Sequence, residues 1–240
     1  MTISEMHTEV KVGVDKGDSL GYPNLLPEEI DIHLNNNIEK FVTLRLYGEN
    51  SKPASFEETQ KRTDDLGDII KNSNISTFSV TTDNKPNSSF LTLPADYWHA
   101  LDGGEECTIT YLDCHSQLAT KRTPVYPIST SHYNKLIRDP FNKPDQDTIF
   151  RLVFGITGTS RRFELITDGV ITVNTFHLRY CSKPDEVRYG TTYSTVTTDV
   201  NCNLPEHTHK EIIAMTVASI LGNIESQRVG LAKQEVKELE

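Results

Sequence analysis

Two histidines one residue apart, His207 and His209, are the best candidates for metal ligation in this chain. On a strand both imidazoles of such a pair face the same way. This pair falls at a helix start, where positions two apart diverge. A zinc site also needs a third and usually a fourth ligand. Cys202 lies nearby, but no further donor stands at a recognisable spacing. The pair is therefore expected to be surface histidines. Cys114 and His115 could form a thiolate–imidazole couple, yet neighbours on a strand point to opposite faces and are expected apart. The run from Gly155 through Gly158 to Arg161 and Arg162 faintly suggests a phosphate loop. It lacks the GK[ST] ending and the following helix, so a hairpin turn with a small basic spot is the reading.

Paired carboxylates occur at Glu57-Glu58 and Asp64-Asp65. Acid–base work requires environments that split the two pKa values. These pairs sit on a charged helix face, where solvation is the ordinary outcome. No nucleophile elbow, HExxH, Walker A or dinucleotide fingerprint is present in the sequence. The chemistry points away from an enzyme, and no cofactor or metal is expected.

Composition narrows the classes further. The chain has 240 residues, 24 Lys plus Arg against 34 Asp plus Glu, and a net charge of −10. That length supports one large or two small domains with a real core. No run approaches the roughly 20 apolar residues of a membrane span. Residues 1–13 lack a basic region followed by an apolar block, so no signal peptide is expected. The four cysteines form no CxxC pair, which fits synthesis in a reducing cytoplasm. A strongly acidic surface repels phosphates and disfavours sequence-independent nucleic-acid binding.

The elements that would position these residues read as follows. Residues 1–24, with Gly13, Gly17, Gly21 and Pro23, read as a flexible N-terminal arm. Residues 25–74 read as a helical pair. Pro27, Glu28 and Glu29 open the first helix, and Ile30, Leu34, Ile38, Phe41 and Val42 make its apolar face. Ser55 and Glu58 form a capping box for the second, whose stripe is Leu66, Ile69 and Ile70. Its opposite face carries Glu57, Lys61, Arg62, Asp64, Asp65 and Asp68. Residues 75–200 read as β-rich. Strands are expected at 75–82, 89–93, 107–113, 119–128, 147–156, 162–167 and 170–181, with a helix entry at 93–98 and a helical turn at 131–137. Asp168-Gly169 is a hairpin signal, and a phase slip near Asn174 predicts a bulge. Residues 201–240 read as the C-terminal helix and tail. Thr208 with Glu211 offers a capping box, and Ile212, Ile213, Val217, Ile220, Leu221 and Ile224 form a stripe. The fold class is α+β: N- and C-terminal helices packed together, with a central antiparallel sheet or sandwich.

Five phrases, in order, carry a resemblance: FEETQKRTDDL at 56–66, LPADYW at 93–98, RDPFNKP at 138–144, RYCSKP at 179–184 and CNLPEHTHKEII at 202–213. Together they resemble head–tail connector (neck ring, or adaptor) proteins of tailed phages, most of all the ring proteins of crAss-like phages. The sequence is also broadly similar to tail-tubular gatekeeper proteins of other short-tailed phages.

The resemblance implies a non-enzymatic virion protein, a homo-oligomeric ring of about twelve copies docked beneath the portal. Its other partners would be neighbouring neck rings or tail hub proteins. DNA would pass through the lumen without sequence-specific binding, and no membrane is involved. At −10 per chain, such a ring would carry on the order of −120 formal charges, and acidic walls let DNA slide. The resemblance implies portal or neighbour contact through the C-terminal segment, at Arg228, Leu231, Lys233, Val236 and Leu239. The N-terminal arm is the alternative. Glu57, Lys61, Arg62 and Asp65 are the expected subunit contact. Pro94, Pro140, Pro144 and Pro184 are expected to shape loops and Tyr97 and Trp98 to anchor a core, with Phe141, Leu204 and Pro205 as further structural positions of the motifs. Rival readings are another tail component, such as a hub or fibre adaptor, and a cytoplasmic metal- or ligand-binding protein using His207, His209 and Cys202.

Overall fold

A computed structural model describes residues 1–15, 25–47, 59–80, 85–157, 160–190, 198–223, 234 and 236. The chain divides into two compact units. One is formed by Met1–Ile69 with Pro184–Glu240, and the other by Ile70–Lys183. The class is α+β, as the sequence pattern implies. The boundaries differ from the expected ones: residues 70–74 are strand, and the return segment after Lys183 belongs with the helices.

The helical unit begins where a flexible arm was expected. Helix α1 spans Ile3–Asp15. Ile3, Met6, Val10 and Val14 are buried at helical spacing. A reciprocal capping box starts it. The Thr2 N–H donates to Glu5 Oε2 at 2.8 Å, and the Glu5 N–H to Thr2 Oγ1 at 3.3 Å. Helix α2 spans Pro27–Tyr47 and buries the expected face, including Ile30, Leu34, Ile38, Phe41 and Val42. Helix α3 is only Gln60–Asp65 and passes through a 3-10 turn, Gly67–Ile69. The Ser55–Glu58 box and Glu57 lie outside the described residues.

Helix α5, His209–Asn223, packs against both α1 and α2. It is buried on most of its circumference rather than along one stripe. Gly13 of α1 makes the close crossing possible: a Cβ there would lie 2.6 Å from Val217 Cγ2. The second expected capping box is replaced. The Thr208 hydroxyl donates to the Pro205 carbonyl at 2.8 Å, and Glu211 turns to Arg45. Segment 184–189 runs along α2, held by polar clamps. Asn35 exchanges two hydrogen bonds with the Val187 backbone, and Asp31 accepts the Tyr189 N–H at 3.0 Å.

The β unit holds eight strands: β1 Ile70–Ile75, β2 Phe78–Ser79, β3 Ser88–Thr92, β4 Tyr97–Leu112, β5 Leu118–Pro127, β6 Ile149–Thr157, β7 Ser160–Ile166 and β8 Thr172–Ser182. Their order is β1-β8-β4-β5-β6-β7-β3-β2. All pairs are antiparallel except β5–β6. Strand β5 pairs with β4 over its first part and with β6 at Val125, Tyr126 and Pro127. The two halves of the sheet thereby fold onto one core. Phe163 of β7 meets Phe176 of β8 edge-on at 6.4 Å, although those strands are not sheet neighbours. Helix α4, Thr130–Leu136, covers a second cluster of Tyr133, Phe150, Leu152 and Ile166.

Three expectations fail here. The 93–98 phrase opens strand β4 at Tyr97 instead of a helix, because Tyr97 packs on Phe163 and Tyr180. Ile75 ends a strand rather than starting one. Asp168-Gly169 is not a hairpin turn, since β7 and β8 pair with other strands. Gly169 has φ +85, and Asp168 Oδ1 accepts the Val170 and Ile171 N–H groups. The turn is tight as its chemistry requires, but it redirects the chain to the other half of the sheet. The bulge at Asn174 is present: Thr175 and Val173 pair with the adjacent residues Thr108 and Ile109.

Candidate functional site

The metal candidates separate as the helix start dictates. His207 Nε2 lies 2.9 Å from Asp65 Oδ1, while buried His209 donates from Nε2 to the Leu204 carbonyl at 3.0 Å. Burial holds the His209 pKa below its ordinary value. Among the described residues no cluster of three or more His, Cys, Asp or Glu could hold a metal ion. Cys114 and His115 do meet, at 3.3 Å between Sγ and Nδ1. They sit in the turn after β4, where Ser116 has φ 58, so strand alternation does not separate them. Cys107 and Cys181 are buried, and burial pushes both thiols up to about 12.

The charged face of α3 is not uniformly solvated. Lys61 and Asp64 are exposed, whereas Arg62 and Asp65 are buried. Asp65 is drawn inward by Arg45 of α2, whose Nε donates to Asp65 Oδ2 at 2.7 Å. The same guanidinium reaches both Glu211 oxygens, at 2.6 and 2.7 Å, and stacks 4.7 Å from the Phe41 ring centre. Desolvation raises the Glu211 pKa despite the nearby Arg45. Asp65 therefore ties α3, α2 and the 206–208 turn together inside one subunit, and Lys61 is what remains of the expected contact among the described residues. The buried network escaped the sequence pattern because Arg45 and Glu211 are 166 residues apart.

The remaining predicted positions are spread out. Arg228, Leu231, Lys233 and Leu239 lie outside the described residues, and Val236 is helical and half-buried. Tyr97 joins the β core, while Trp98 stacks on His99 at 4.8 Å and its carbonyl accepts from Arg161. Pro184 and Leu204 are buried, and Pro94 and Pro205 half-buried. Pro140 is exposed, and Phe141 is 93 % exposed.

Three surface features stand out. The first is the turn that presents Phe141. Asp139 accepts the Phe141 N–H at 3.0 Å and the Asn142 side-chain amide at 2.7 Å. These bonds hold its carboxyl below the usual range, the Asn142 bond most. The second is a groove of about 220 Å³ on α2 between Ile32, Ile38 and Pro184, edged by Glu39, Asp185 and Glu186. A third, polar depression of about 290 Å³ crosses the β unit near Asn72, Arg122, His177 and Arg179. His177 in that depression lies 2.8 Å from Thr108 Oγ1 through Nε2 and 2.7 Å from Asn74 Oδ1 through Nδ1.

No curated protein is similar enough to match the chain. A family model described as phage tail ring protein 3/4, of the crAss-like group, matches residues 1–229. Such coverage spans both units and all the described elements up to α5, and the chain accordingly belongs to the phage tail ring protein 3/4 family, as a structural component of an oligomeric ring in the virion tail.

Proposed function

We propose that this chain is a subunit of a neck ring that joins portal to tail and lines the DNA exit channel, in about twelve copies. The match to a tail ring family over residues 1–229 is the observation that carries the reading. Net charge supports the channel role: at −10 per chain, the ring repels the phosphates that must slide past it. The C-terminal segment, with Arg228, Leu231, Lys233, Val236 and Leu239, is the portal-contacting part, and Lys61 with Glu57 contributes to lateral contact. Removal of residues 228–240 would leave the fold intact and block incorporation into particles. Quantitative mass spectrometry of purified virions tests the placement. About one copy per portal subunit supports a ring of portal symmetry. Six or fewer copies would indicate a hub or fibre adaptor instead, and unchanged incorporation of the truncated chain would remove the portal contact from its C-terminus.

A further inference from the structure

The polar depression on the β unit adjoins a side-chain relay that the ring reading does not use. Asn74, His177 and Thr108 come from β1, β8 and β4, which are consecutive in the sheet. His177 Nδ1 lies 2.7 Å from Asn74 Oδ1, and its Nε2 lies 2.8 Å from Thr108 Oγ1. These contacts fix the proton positions. An amide oxygen only accepts, so Nδ1 carries the hydrogen and donates it to Asn74. Nε2 then presents its lone pair, and the Thr108 hydroxyl donates to it. The order is acceptor, imidazole, hydroxyl: an oriented base that holds an alcohol. Thr108 and His177 are both half-buried.

The ladder supplies what such a pair needs around it. Glu106 stands opposite His177 between β4 and β8, and Arg122 stands opposite Thr108 between β4 and β5. A carboxylate there favours the imidazolium formed when the base takes a proton. A guanidinium beside the hydroxyl favours a developing oxyanion. Asn74, His177, Glu106 and Arg122 all line the depression of about 290 Å³, which leaves room for a small molecule. Gly103 and Gly104 line it too, where β4 breaks register against β8. A Cβ on Gly103 would meet nothing within 4 Å, so the space there is open. A further polar contact on these strands, Asn174 to Thr110 at 2.6 Å, contains no imidazole and lies outside that lining.

We propose that Thr108 is the nucleophile of an acyl-transfer site, with His177 as its general base and Asn74 as the residue that positions the base, acting on small esters of polar alcohols. The polar class follows from the lining, whose one large apolar member, Leu178, is itself buried. Thr108 Oγ1 attacks the ester carbonyl carbon while His177 Nε2 takes the hydroxyl proton. The bond to the alcohol oxygen then breaks, and that oxygen takes the proton from Nε2. Water attacks the acyl–Thr108 ester by the same route, which releases a carboxylic acid and restores the hydroxyl. The balance is ester plus water to acid plus alcohol, with nothing oxidised or reduced. This activity stands beside the ring role and does not depend on it.

Acetylation of the full chain by p-nitrophenyl acetate tests it, with peptide mass spectrometry to locate the acetyl groups. Thr110 and Thr120 share the sheet face of Thr108 and serve as internal standards. Thr108 is expected to acetylate about a hundredfold faster than either, the scale of a positioned base. Thr108→Val and His177→Gln should abolish that excess, and Thr108→Ser should keep it, with folding checked by circular dichroism. Asn74→Leu should lower the rate about tenfold, and Asn74→Asp, which keeps an acceptor for Nδ1, should restore it. Acetyl groups confined to lysines and the exposed Cys114, or spread evenly over the three threonines, overturn the proposal. So does an excess at Thr108 that survives His177→Gln. An acetyl group that stays on Thr108 without release of acetate overturns the hydrolytic step. The ring reading fails separately, on a virion copy number incompatible with a ring.

Discussion

Both units bury an arginine under the same arrangement, and they differ in how many carboxylates it serves. In the helical unit Arg45 stacks over Phe41 and holds two acids, Asp65 and Glu211. In the β unit Arg151 lies 4.2 Å from the Phe163 ring centre and, among the described residues, pairs with Glu105. The second joins one guanidinium to one carboxylate, and the first joins one guanidinium to two, of which Asp65 also meets His207. Their tasks differ accordingly. Arg45 gathers three separate helical elements that share no backbone ladder. Glu105 sits where β4 breaks register after Ala100, and its bond to β6 pins a strand already held by its neighbours. Buried charge works as a joint in the helical unit and as a local stitch in the β unit.

The largest expected effects break this comparison directly. Arg45→Met strands two buried carboxylates, and stability should fall by about 3–5 kcal/mol, as when one partner of a buried pair is lost. Arg151→Met strands one, and the loss should be smaller. Denaturant unfolding of both variants measures the order, which would be reversed if sheet hydrogen bonding did not share the load. Adding Glu211→Gln to Arg45→Met should recover part of the loss, since it removes one of the two stranded charges.

Two glycines sharpen the same contrast at about 1–2 kcal/mol. Gly13→Ala gains helix propensity of ~1 kcal/mol, but its methyl meets Val217, and overpacking costs about 1–3 kcal/mol. The clash is between side chains, so adding Val217→Ala should return much of the net loss. Gly169→Ala meets Asn87 at 2.7 Å and also sits at φ +85. A left-handed alanine costs about 1–2 kcal/mol by itself, so Asn87→Ala should leave most of that loss in place. Thermal unfolding of the four variants decides it, and a full rescue in the β unit would show that the backbone there relaxes.

Which parts were legible follows from the range of the interactions. Helix α2 was plain because Ile30, Leu34, Ile38 and Phe41 repeat locally and Pro27 marks the start. The bulge at Asn174 was plain because it reverses a period-two pattern within one strand. Helix α1 was missed although Thr2 and Glu5 carry a capping box: its stripe is sparse, and glycines and a proline follow it in sequence. The hairpin at Asp168-Gly169 was misread because turn chemistry fixes a tight reversal but not which strand lies beside the next. Tyr97 gave no local sign of strand, since what holds it is Phe163 and Tyr180, both far along the chain. The surfaces behaved likewise. The RDPFNKP phrase was visible as a turn, but only the fold shows Phe141 pointing into solvent and a groove assembled from α2 and residues 184–186.

The smallest effect concerns Glu211, the second carboxylate held by Arg45. Glu211 has a folded pKa raised above its ordinary 4.5, chiefly by burial. Between those two values the folded state holds more protons than the unfolded one, so stability rises as pH falls through that window. His209 acts in the opposite sense. Its folded pKa is lowered by burial, so stability is lost as pH falls below the ordinary 6.5. A wild-type profile mixes the two, and the comparison with Glu211→Gln separates them. The stability difference, wild type minus variant, should grow as pH is lowered from neutrality towards 4.5 and level off once the carboxyl is protonated in both states. Asp96 of the β unit supplies the contrast. Its hydrogen bond from Lys71 lowers its pKa, so stability from that group is present above 3.8 and lost as pH falls further. Hydrogen exchange at α5 amides and at β1 amides across pH 3 to 7 reads the two units separately. A difference that shrinks on acidification at α5 would mean that Arg45 outweighs the desolvation of Glu211.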